Sequence, residues 1–201
     1  MPTGRRRCAG QPCVEVREGD ALELPLPRDP YKVVSNLPFH LTTALLRRLL
    51  DPGGSLFRAE LIVGWGLGLN RAGVASPSLA SLTWQPWFEV FIARRLPAGL
   101  FVPAPSSDAA VLSVRRRARP LLAAHERRGY LSLVADAYRS GGRLDRLLAS
   151  RGARHAAARL RSRVGIASDT PVHELDVWQW IEVVRVLRPS GGGYSRPKRE
   201  M

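Results

Sequence analysis

The pattern of apolar and polar residues changes near residue 120. Before it, short β-branched and apolar runs stand between loops rich in glycine and proline, as is typical of strands in an α/β fold. The predicted strands are Val14–Glu18, Val33–Val34, Ala59–Trp65, Glu89–Ala93 and Ala109–Val114. We therefore predict one α/β domain over residues 1–119.

The second part of the chain has a helical pattern. From Leu121 to Leu187, apolar residues recur every three or four positions. The apolar stripes are Leu131, Val134, Ala135 and Tyr138; Leu144, Leu147 and Leu148; Ala157, Leu160 and Val164; and Trp178, Ile181, Val184 and Leu187. The outer faces carry Arg143, Arg146, Arg151, Arg154, Arg159, Arg161 and Arg163. This predicts a small all-helical domain over residues 120–188 that can grip an RNA backbone, followed by a disordered basic tail at residues 189–201.

The first part is organised around the stretch from Lys32 to Asp51. Its strand ends in Asn36-Leu37-Pro38-Phe39, where proline has no N–H to donate and holds the preceding leucine extended. Thr42 or Thr43 can cap the helix that follows. Apolar residues on one face of that helix are Leu45, Leu46, Leu49 and Leu50. A stiff tetrapeptide therefore lies at the sheet edge where open α/β folds bind ligands.

This tetrapeptide has groups suited to one kind of chemistry. The exocyclic amine of adenine is a poor nucleophile because its lone pair is delocalised into the ring. Two hydrogen-bond acceptors, the Asn36 amide oxygen and the Leu37 carbonyl oxygen, could draw that nitrogen toward sp³ geometry, with Pro38 fixing their direction. Phe39 could stack on a flipped base. The alternative is an ordinary strand-to-helix loop whose phenylalanine fills the core.

Charge narrows the choice of partner. The 201-residue chain has 31 Lys+Arg against 17 Asp+Glu, a net charge of +14, and only Lys32 and Lys198 are lysines. Such a surface favours polyanions, nucleic acid first, although a coding bias toward arginine would also explain it. The run Arg115-Arg116-Arg117 is a candidate phosphate contact; a solvated domain boundary is the alternative.

Several classes of protein are not favoured by the sequence. No segment approaches the ~20 apolar residues that span a bilayer, and the basic start of the chain lacks the apolar run of a signal peptide. Cys8 and Cys13 are the only cysteines, and no other metal-ligating residues cluster near them. We therefore expect a cytoplasmic monomer without a metal site or membrane contact.

Five segments in order resemble one family: GDALELPLP, VVSNLPFHLTTALLRRLL, AELIV, WQPWFEVF and FVPAPSSDAAVLSVRRR. Over residues 5–187 the chain resembles the ribosomal RNA adenine dimethyltransferases. It is most similar to the Erm group, which confers macrolide, lincosamide and streptogramin B resistance by methylating an adenine amine in large-subunit rRNA. The resemblance implies a Rossmann-like class I methyltransferase sheet and S-adenosylmethionine as methyl donor.

The resemblance also implies roles for individual residues. Asp20, with Ala21, is expected to bind the adenine moiety of the cofactor. Asn36 to Phe39 are expected to form the methyl-transfer site, with Asn36 near both cofactor and target amine. Phe101 resembles the residue in the family's loop that closes over the target base, although Ser107 stands where the family has a hydrophobic residue.

Two features depart from the family. The family's glycine-rich loop and first two strands have no counterpart in this sequence. The strands at Val14 and Val33 are therefore expected to face a gap in the sheet, and we expect weak cofactor binding and low stability.

The motif Gly64-Trp65-Gly66-Leu67-Gly68 could be a cofactor loop in a circularly permuted methyltransferase. Because no helix with a clean apolar stripe is predicted after it, local divergence is favoured.

Two further functions stay open at this point. One is the small-subunit rRNA dimethyltransferase of the same fold. The other is a non-enzymatic RNA-binding fragment that keeps the surface of the family without its cofactor pocket. Trp84, Trp87 and Phe88 could stack bases in either case, but packing beneath the sheet is favoured.

Overall fold

The computed structural model describes residues 15, 17–38, 40–74 and 76–187. The strands are β1 (Tyr31–Asn36), β2 (Leu56–Gly64), β3 (Phe88–Leu96) and β4 (Ala109–Arg116). The α-helices are α1 (Thr42–Leu49), α2 (Trp65–Ala72), α3 (Leu79–Leu82), α4 (Arg127–Arg139), α5 (Leu144–Ser150), α6 (Ala156–Val164) and α7 (Val177–Leu187). Short 3₁₀ turns cover Ala98–Leu100, Ala124–Glu126 and Val172–Glu174. The predicted α/β class is confirmed.

The four strands form one mixed sheet in the order β1-β2-β4-β3. β1 and β2 are parallel, whereas β4 lies between β2 and β3 and is antiparallel to both. Because β1 and β2 are parallel, their carboxyl ends meet at one edge of the sheet. The start of β4 and the end of β3 lie at that same edge.

The two faces of the sheet differ sharply. Alternate residues of β2 and β4, such as Leu61 and Leu112, are fully buried in the core beside the apolar side of α1. The opposite face, which we call the open face, is solvent-facing in β1 and partly exposed in β2. By register it consists of Lys32, Val34, Asn36, Arg58, Glu60, Ile62, Glu89, Phe91, Arg94, Val111, Ser113 and Arg115.

β1 is an edge strand. Within the described residues it pairs with β2 alone, and Val34 is 85% exposed at its middle. In the predicted strand Val14–Glu18, Val14 and Val16 lie outside the described residues. Glu15, Arg17 and Glu18 have no regular structure, so the strand prediction is wrong for them.

The helices after residue 120 share a core, but the predicted stripes of α4, α6 and α7 match the buried residues only in part. The buried residues of α4 are Tyr130, Leu133, Val134 and Ala137. The pattern of α5 is as predicted, since Leu144, Leu147 and Leu148 are buried. None of the described helices is both long and apolar enough to cross a membrane.

An aromatic cluster joins the sheet to these helices. Trp84, Trp87 and Phe88 are at most 2% exposed, so the prediction that they pack in the core is confirmed. The Trp87 and Tyr130 rings meet edge to face at 6.0 Å. The Tyr130 hydroxyl donates to the Leu82 carbonyl at 3.1 Å, and burial raises the pKa of this phenol.

The loop between β3 and β4 is held by one carboxylate. Asp108 accepts hydrogen bonds from the Ala98 N–H at 2.9 Å and from the Arg95 guanidinium at 2.8 Å. These contacts tie the first residues of the loop to its last. They also hold the pKa of the Asp108 carboxyl below its ordinary value, the Ala98 N–H having the larger effect.

The glycines after β2 belong to a helix. Contrary to the sequence-based expectation, α2 begins directly at Trp65 and includes Gly66 and Gly68. A Cβ atom on Gly68 would lie 3.0 Å from the Cβ of Ala110 in β4, whereas one on Gly66 would meet nothing within 4 Å. Gly68 therefore permits close packing of helix on sheet. A helix interior does not provide the phosphate-binding loop of the permuted interpretation.

Replacing these two glycines should have opposite effects on the free energy of unfolding. Gly66→Ala should stabilise the protein by about 0.5–1 kcal/mol, because alanine loses less backbone entropy in a helix. Gly68→Val should destabilise it by about 1–3 kcal/mol, because the side chain must displace β4. Urea denaturation of both variants measures the difference, and equal effects would contradict this account of helix packing.

Asp108 should give the protein a pH-dependent increment of stability. Because its folded pKa is lowered, the increment is present at neutral pH and is lost as pH falls below about 4 through the folded pKa. Asp108→Asn should therefore be less stable than the unsubstituted chain at pH 7, and the gap should shrink toward pH 3. Urea denaturation at both pH values tests this. The matched variant Asp29→Asn, at an exposed site, should have nearly the same free energy of unfolding as the unsubstituted chain.

Candidate active site

The tetrapeptide lies at the carboxyl edge of the parallel strands. Asn36 is the last residue of β1 and is paired with Ile62 of β2. The Leu37 N–H donates to the Ile62 carbonyl at 3.2 Å, and the Leu37 side chain is 5% exposed. Asn36 itself is exposed. The buried leucine thus anchors the turn while the amide side chain stays outside.

The start of α1 fixes the other end of this turn. The Pro38 carbonyl accepts hydrogen bonds from the Leu41 N–H and from the Thr42 hydroxyl, both at 3.0 Å. The expectation that Thr42 or Thr43 caps the helix is wrong, because Leu41 is the N-cap residue and makes no side-chain capping bond. The four predicted leucines, Leu45, Leu46, Leu49 and Leu50, are all buried.

Two acceptors at the turn have no partner within the described residues. Among the described residues, neither the Asn36 side chain nor the Leu37 carbonyl has a hydrogen-bond partner. Two neighbouring acceptors can bind both protons of an amino group. Phe39, the predicted stacking residue, lies outside the described residues.

The same edge carries the loop that includes Phe101. The register aligns Asn36, Ile62, Val111 and Arg94 in one row across the sheet. The loop that follows β3 therefore begins at this edge, and Phe101 is half-buried in it. Leu100 and Val102 beside it are 65% and 101% exposed. The structure thus brings Asn36, Leu37, Pro38 and Phe101 to one edge.

Two residues at this edge were missed by the sequence analysis as parts of a site. Trp65 follows the end of β2, and its N–H donates to the Asp108 carbonyl at 2.9 Å. The Arg95 guanidinium lies 4.9 Å from the centre of the Trp65 ring. The signal was an aromatic residue at the end of the predicted strand Ala59–Trp65, which the surrounding glycines obscured.

The predicted cofactor residues Asp20 and Ala21 have hydrogen-bond partners elsewhere in the protein. The Asp20 carboxylate accepts the Leu22 N–H at 2.8 Å in a turn, an ordinary role for aspartate. Arg48, near the carboxyl end of α1, donates to the Ala21 carbonyl at 2.5 Å, whereas Asn36 precedes the amino end of that helix. In the described part of the chain no hydrogen bond joins Asp20 or Ala21 to residues 36–38.

The run Arg115-Arg116-Arg117 lies at the opposite end of the strands from the edge that carries Asn36. Arg115 is four residues from Val111 along β4, about 13 Å from the row that contains Asn36. Arg116 donates to backbone carbonyls, including those of Leu56 at 2.7 Å and Pro52 at 3.0 Å. These bonds give Arg116 a structural role, so phosphate binding by it stays a prediction.

Arg117 is also engaged within the protein. It donates to the Gln85 carbonyl at 2.8 Å and to Glu89 at 3.2 Å, and its guanidinium lies 5.4 Å from the centre of the Trp178 ring. Burial lowers the pKa of Arg117. These residues line a cavity of about 420 Å³. Arg115, by contrast, is exposed.

No metal centre is found in the part of the chain that the structure describes. No group of three or more His, Cys, Asp or Glu residues there is arranged to hold an ion. Cys8 and Cys13 lie outside the described residues, as does the predicted tail at residues 189–201.

Comparison with known proteins gives consistent matches. Residues 5–188 match the family "Ribosomal RNA adenine dimethylase". The chain is 36% identical over 167 residues to the mycinamicin-resistance protein MyrB of Micromonospora griseorubida, covering 82% of this chain and 47% of that protein. It is 35% identical over 130 residues to an rRNA adenine N-6-methyltransferase of Corynebacterium diphtheriae, covering 65% and 51%.

The fold is also that of a solved methyltransferase. The crystal structure of the 23S rRNA methyltransferase ErmE superimposes with a TM-score of 0.80 at 25% identity, over 91% of this chain and 75% of that one. The chain spans about half the length of the curated relatives it matches. Because the family match extends across nearly the whole sequence, the chain belongs to the ribosomal RNA adenine dimethylase family.

Proposed function

We propose that this chain carries the methyl-transfer site of an enzyme that methylates the exocyclic amine of an adenine in large-subunit (23S) rRNA. Resistance to macrolide-type antibiotics would be the consequence. The observation that carries the proposal is the pair of available acceptors, the Asn36 amide and the Leu37 carbonyl, at the exposed end of β1. Relatives named as rRNA adenine methyltransferases and as a resistance protein support it.

In this proposal the two acceptors hold the target amine. Each accepts one N–H proton, so the nitrogen lone pair is directed away from the ring and toward the methyl donor. Pro38 restricts the backbone of the preceding Leu37. The Pro38 carbonyl accepts hydrogen bonds from the Leu41 N–H and the Thr42 hydroxyl, so the turn need not rearrange on binding. Phe39 and Phe101 are proposed to contact the flipped base.

S-adenosylmethionine is the proposed methyl donor, and Asp20, Ala21 and Asn36 are the residues proposed to hold it. Asp20 is exposed, and one oxygen of its carboxylate accepts the Leu22 N–H. The Ala21 carbonyl accepts a hydrogen bond from Arg48. The cofactor would supply the methyl group, and these residues would orient its adenine moiety.

The helical part is proposed to bind the rRNA backbone. Of its outward arginines, Arg143, Arg151 and Arg163 form ion pairs with Asp169, Asp136 and Glu182. Within the described chain, no ion-pair partner is found for the other predicted contacts, which are Arg146, Arg154, Arg159 and Arg161. These four remain available to phosphates, and such contacts weaken as salt rises.

A second candidate function is RNA binding without catalysis. The engagement of Asp20 and Ala21 by internal partners favours it, because weak cofactor binding would leave the basic surface of the family intact. A small-subunit rRNA substrate is also represented among the relatives. Mapping the modified adenine by primer extension, on rRNA from cells that express the gene, separates the large-subunit from the small-subunit assignment.

Asn36→Ala should abolish methyl transfer while RNA binding persists. Loss of one preorganised acceptor should lower the rate of transfer by about 10²–10³-fold. Incorporation of labelled methyl groups into rRNA measures transfer, and a filter-binding assay measures RNA affinity.

The matched control is Asn70→Ala, the same substitution at an exposed helical position. It should leave both measurements unchanged. If the unsubstituted chain binds rRNA and incorporates no methyl groups, the proposal of catalysis by this chain fails and the non-catalytic function stands.

Calorimetric titration of the chain with S-adenosylmethionine should show binding weaker than micromolar. The physical reason is that the Asp20 carboxylate accepts the Leu22 N–H and the Ala21 carbonyl accepts a hydrogen bond from Arg48, so adenine has to compete with these internal partners. Micromolar binding that is weakened by Asp20→Ala would contradict this.

A further inference from the structure

Three segments of the chain converge at the edge of the sheet that carries Asn36. They are the end of β3 at Arg95, the residue before β4, Asp108, and the start of α2 at Trp65. The Arg95 guanidinium lies 4.9 Å from the centre of the Trp65 ring, and the Trp65 N–H donates to the Asp108 carbonyl at 2.9 Å. We call these three residues, together with Ala98, the loop clamp. It closes the base of the loop between β3 and β4.

The two oxygens of the Asp108 carboxylate have different partners. Oδ1 accepts the Ala98 N–H at 2.9 Å, whereas Oδ2 lies 2.8 Å from Nε and 2.6 Å from Nη2 of Arg95. Two N–H groups of one planar guanidinium on one carboxylate fix direction as well as distance. The carboxylate therefore determines both where the loop starts at Ala98 and how the Arg95 side chain is oriented.

Phe101 is coupled to this carboxylate through a single residue. The Phe101 N–H donates to the Ala98 carbonyl at 3.1 Å, which closes the 3₁₀ turn Ala98–Leu100. Ala98 thus has its N–H bound by Asp108 and its carbonyl bound by Phe101. A displacement of the Asp108 carboxylate would therefore move the backbone that carries the Phe101 ring.

The loop clamp lies close to the acceptors of the tetrapeptide. Asn36 is paired with Ile62, and Gly64 is two residues further along β2. Adjacent strands are about 5 Å apart and each residue advances about 3.3 Å, so Gly64 lies about 8 Å from Asn36. Trp65 follows Gly64 directly. The position of the loop can therefore affect a base that is held at these acceptors.

We propose that Asp108 and Arg95 are positioning residues for methyl transfer, because they hold Phe101 where it contacts the target base. This rests on the proposed function, in which Phe101 contacts the flipped adenine. Neither residue needs to touch the base itself. The Arg95 side chain is 61% exposed, and ion pairs between exposed groups contribute little to stability. The fixed geometry of the pair is what a preorganised site requires.

Fluorine NMR of the chain labelled with 4-fluorophenylalanine tests the loop without cofactor or RNA. The Phe101 signal, assigned by its loss in Phe101→Leu, should shift or broaden in Asp108→Asn. Asparagine can keep only one of the two partners, because its NH₂ group cannot accept a hydrogen bond. Arg95→Gln should change the same signal. The matched control Asp51→Asn, which removes a carboxylate from an ion pair elsewhere, should leave it unchanged.

Methyl transfer to rRNA, with S-adenosylmethionine in excess, tests the functional consequence. Asp108→Asn and Arg95→Gln should each lower kcat by about 10–10²-fold, because a small misplacement of a group at the site is costly. The KM for rRNA should change by less than about twofold, since the contact acts on positioning and not on uniform binding. The double variant should be no slower than the slower single variant, because both substitutions break one contact. Arg95→Lys, which keeps the charge, should recover part of the rate.

The two measurements separate this proposal from the proposed function. An unchanged Phe101 signal in both Asp108→Asn and Arg95→Gln would overturn the role of the loop clamp, even where the unsubstituted chain transfers methyl groups. Losses of rate that multiply in the double variant, or that match the unfolded fraction measured by urea denaturation, would also overturn it. If the unsubstituted chain transfers no methyl groups, the proposed function fails and the role in transfer fails with it. A changed fluorine signal would then still support the hold of the loop clamp on Phe101.

Discussion

The pairing of β4 between β2 and β3 determines the geometry of both ends of the sheet. At one end it brings Asp108 beside the start of α2, where the Trp65 N–H binds the Asp108 carbonyl at 2.9 Å. At the other end it places Arg116 among the carbonyls of the turn before β2, including Gly54 at 2.6 Å. Because this strand is antiparallel to its neighbours, the β3–β4 loop must lie at the same edge as Asn36. The candidate site is therefore a consequence of strand order.

Features determined by local sequence were predicted well. The strand before Asn36 and the apolar stripe of α1 depend on residues within a few positions of one another, and both are present. The burial of Trp84 and Trp87 was also predictable, because large aromatic residues beside a strand are most stable in the core. The exposed position of Asn36 follows from the alternation of side chains along β1, in which Lys32, Val34 and Asn36 share one exposed face.

Features that depend on distant partners were not predictable from one sequence. The Arg117 guanidinium contacts the ring of Trp178, some sixty residues away in the sequence. The Asp20 carboxylate accepts the Leu22 N–H in a turn that the sequence pattern did not indicate. In α4 the structure buries Tyr130 more completely than Leu131, and the Tyr130 hydroxyl donates to the distant Leu82 carbonyl. The alignment of Lys32, Arg58 and Arg115 on three adjacent strands also required a register, since they come from three separate segments. Periodicity alone cannot supply such alignments.

The face of the sheet opposite the core combines charged and apolar side chains. A parallel pair such as β1 and β2 is normally buried on both faces, and an uncovered edge strand invites association with other chains. Charge opposes such association, and Lys32 supplies it near the start of β1, whereas Val34 at the middle of the strand is 85% exposed. The same alternation that places these two side chains on this face also places Asn36 there, so the candidate site and its charged surroundings both follow from the pleat of one strand.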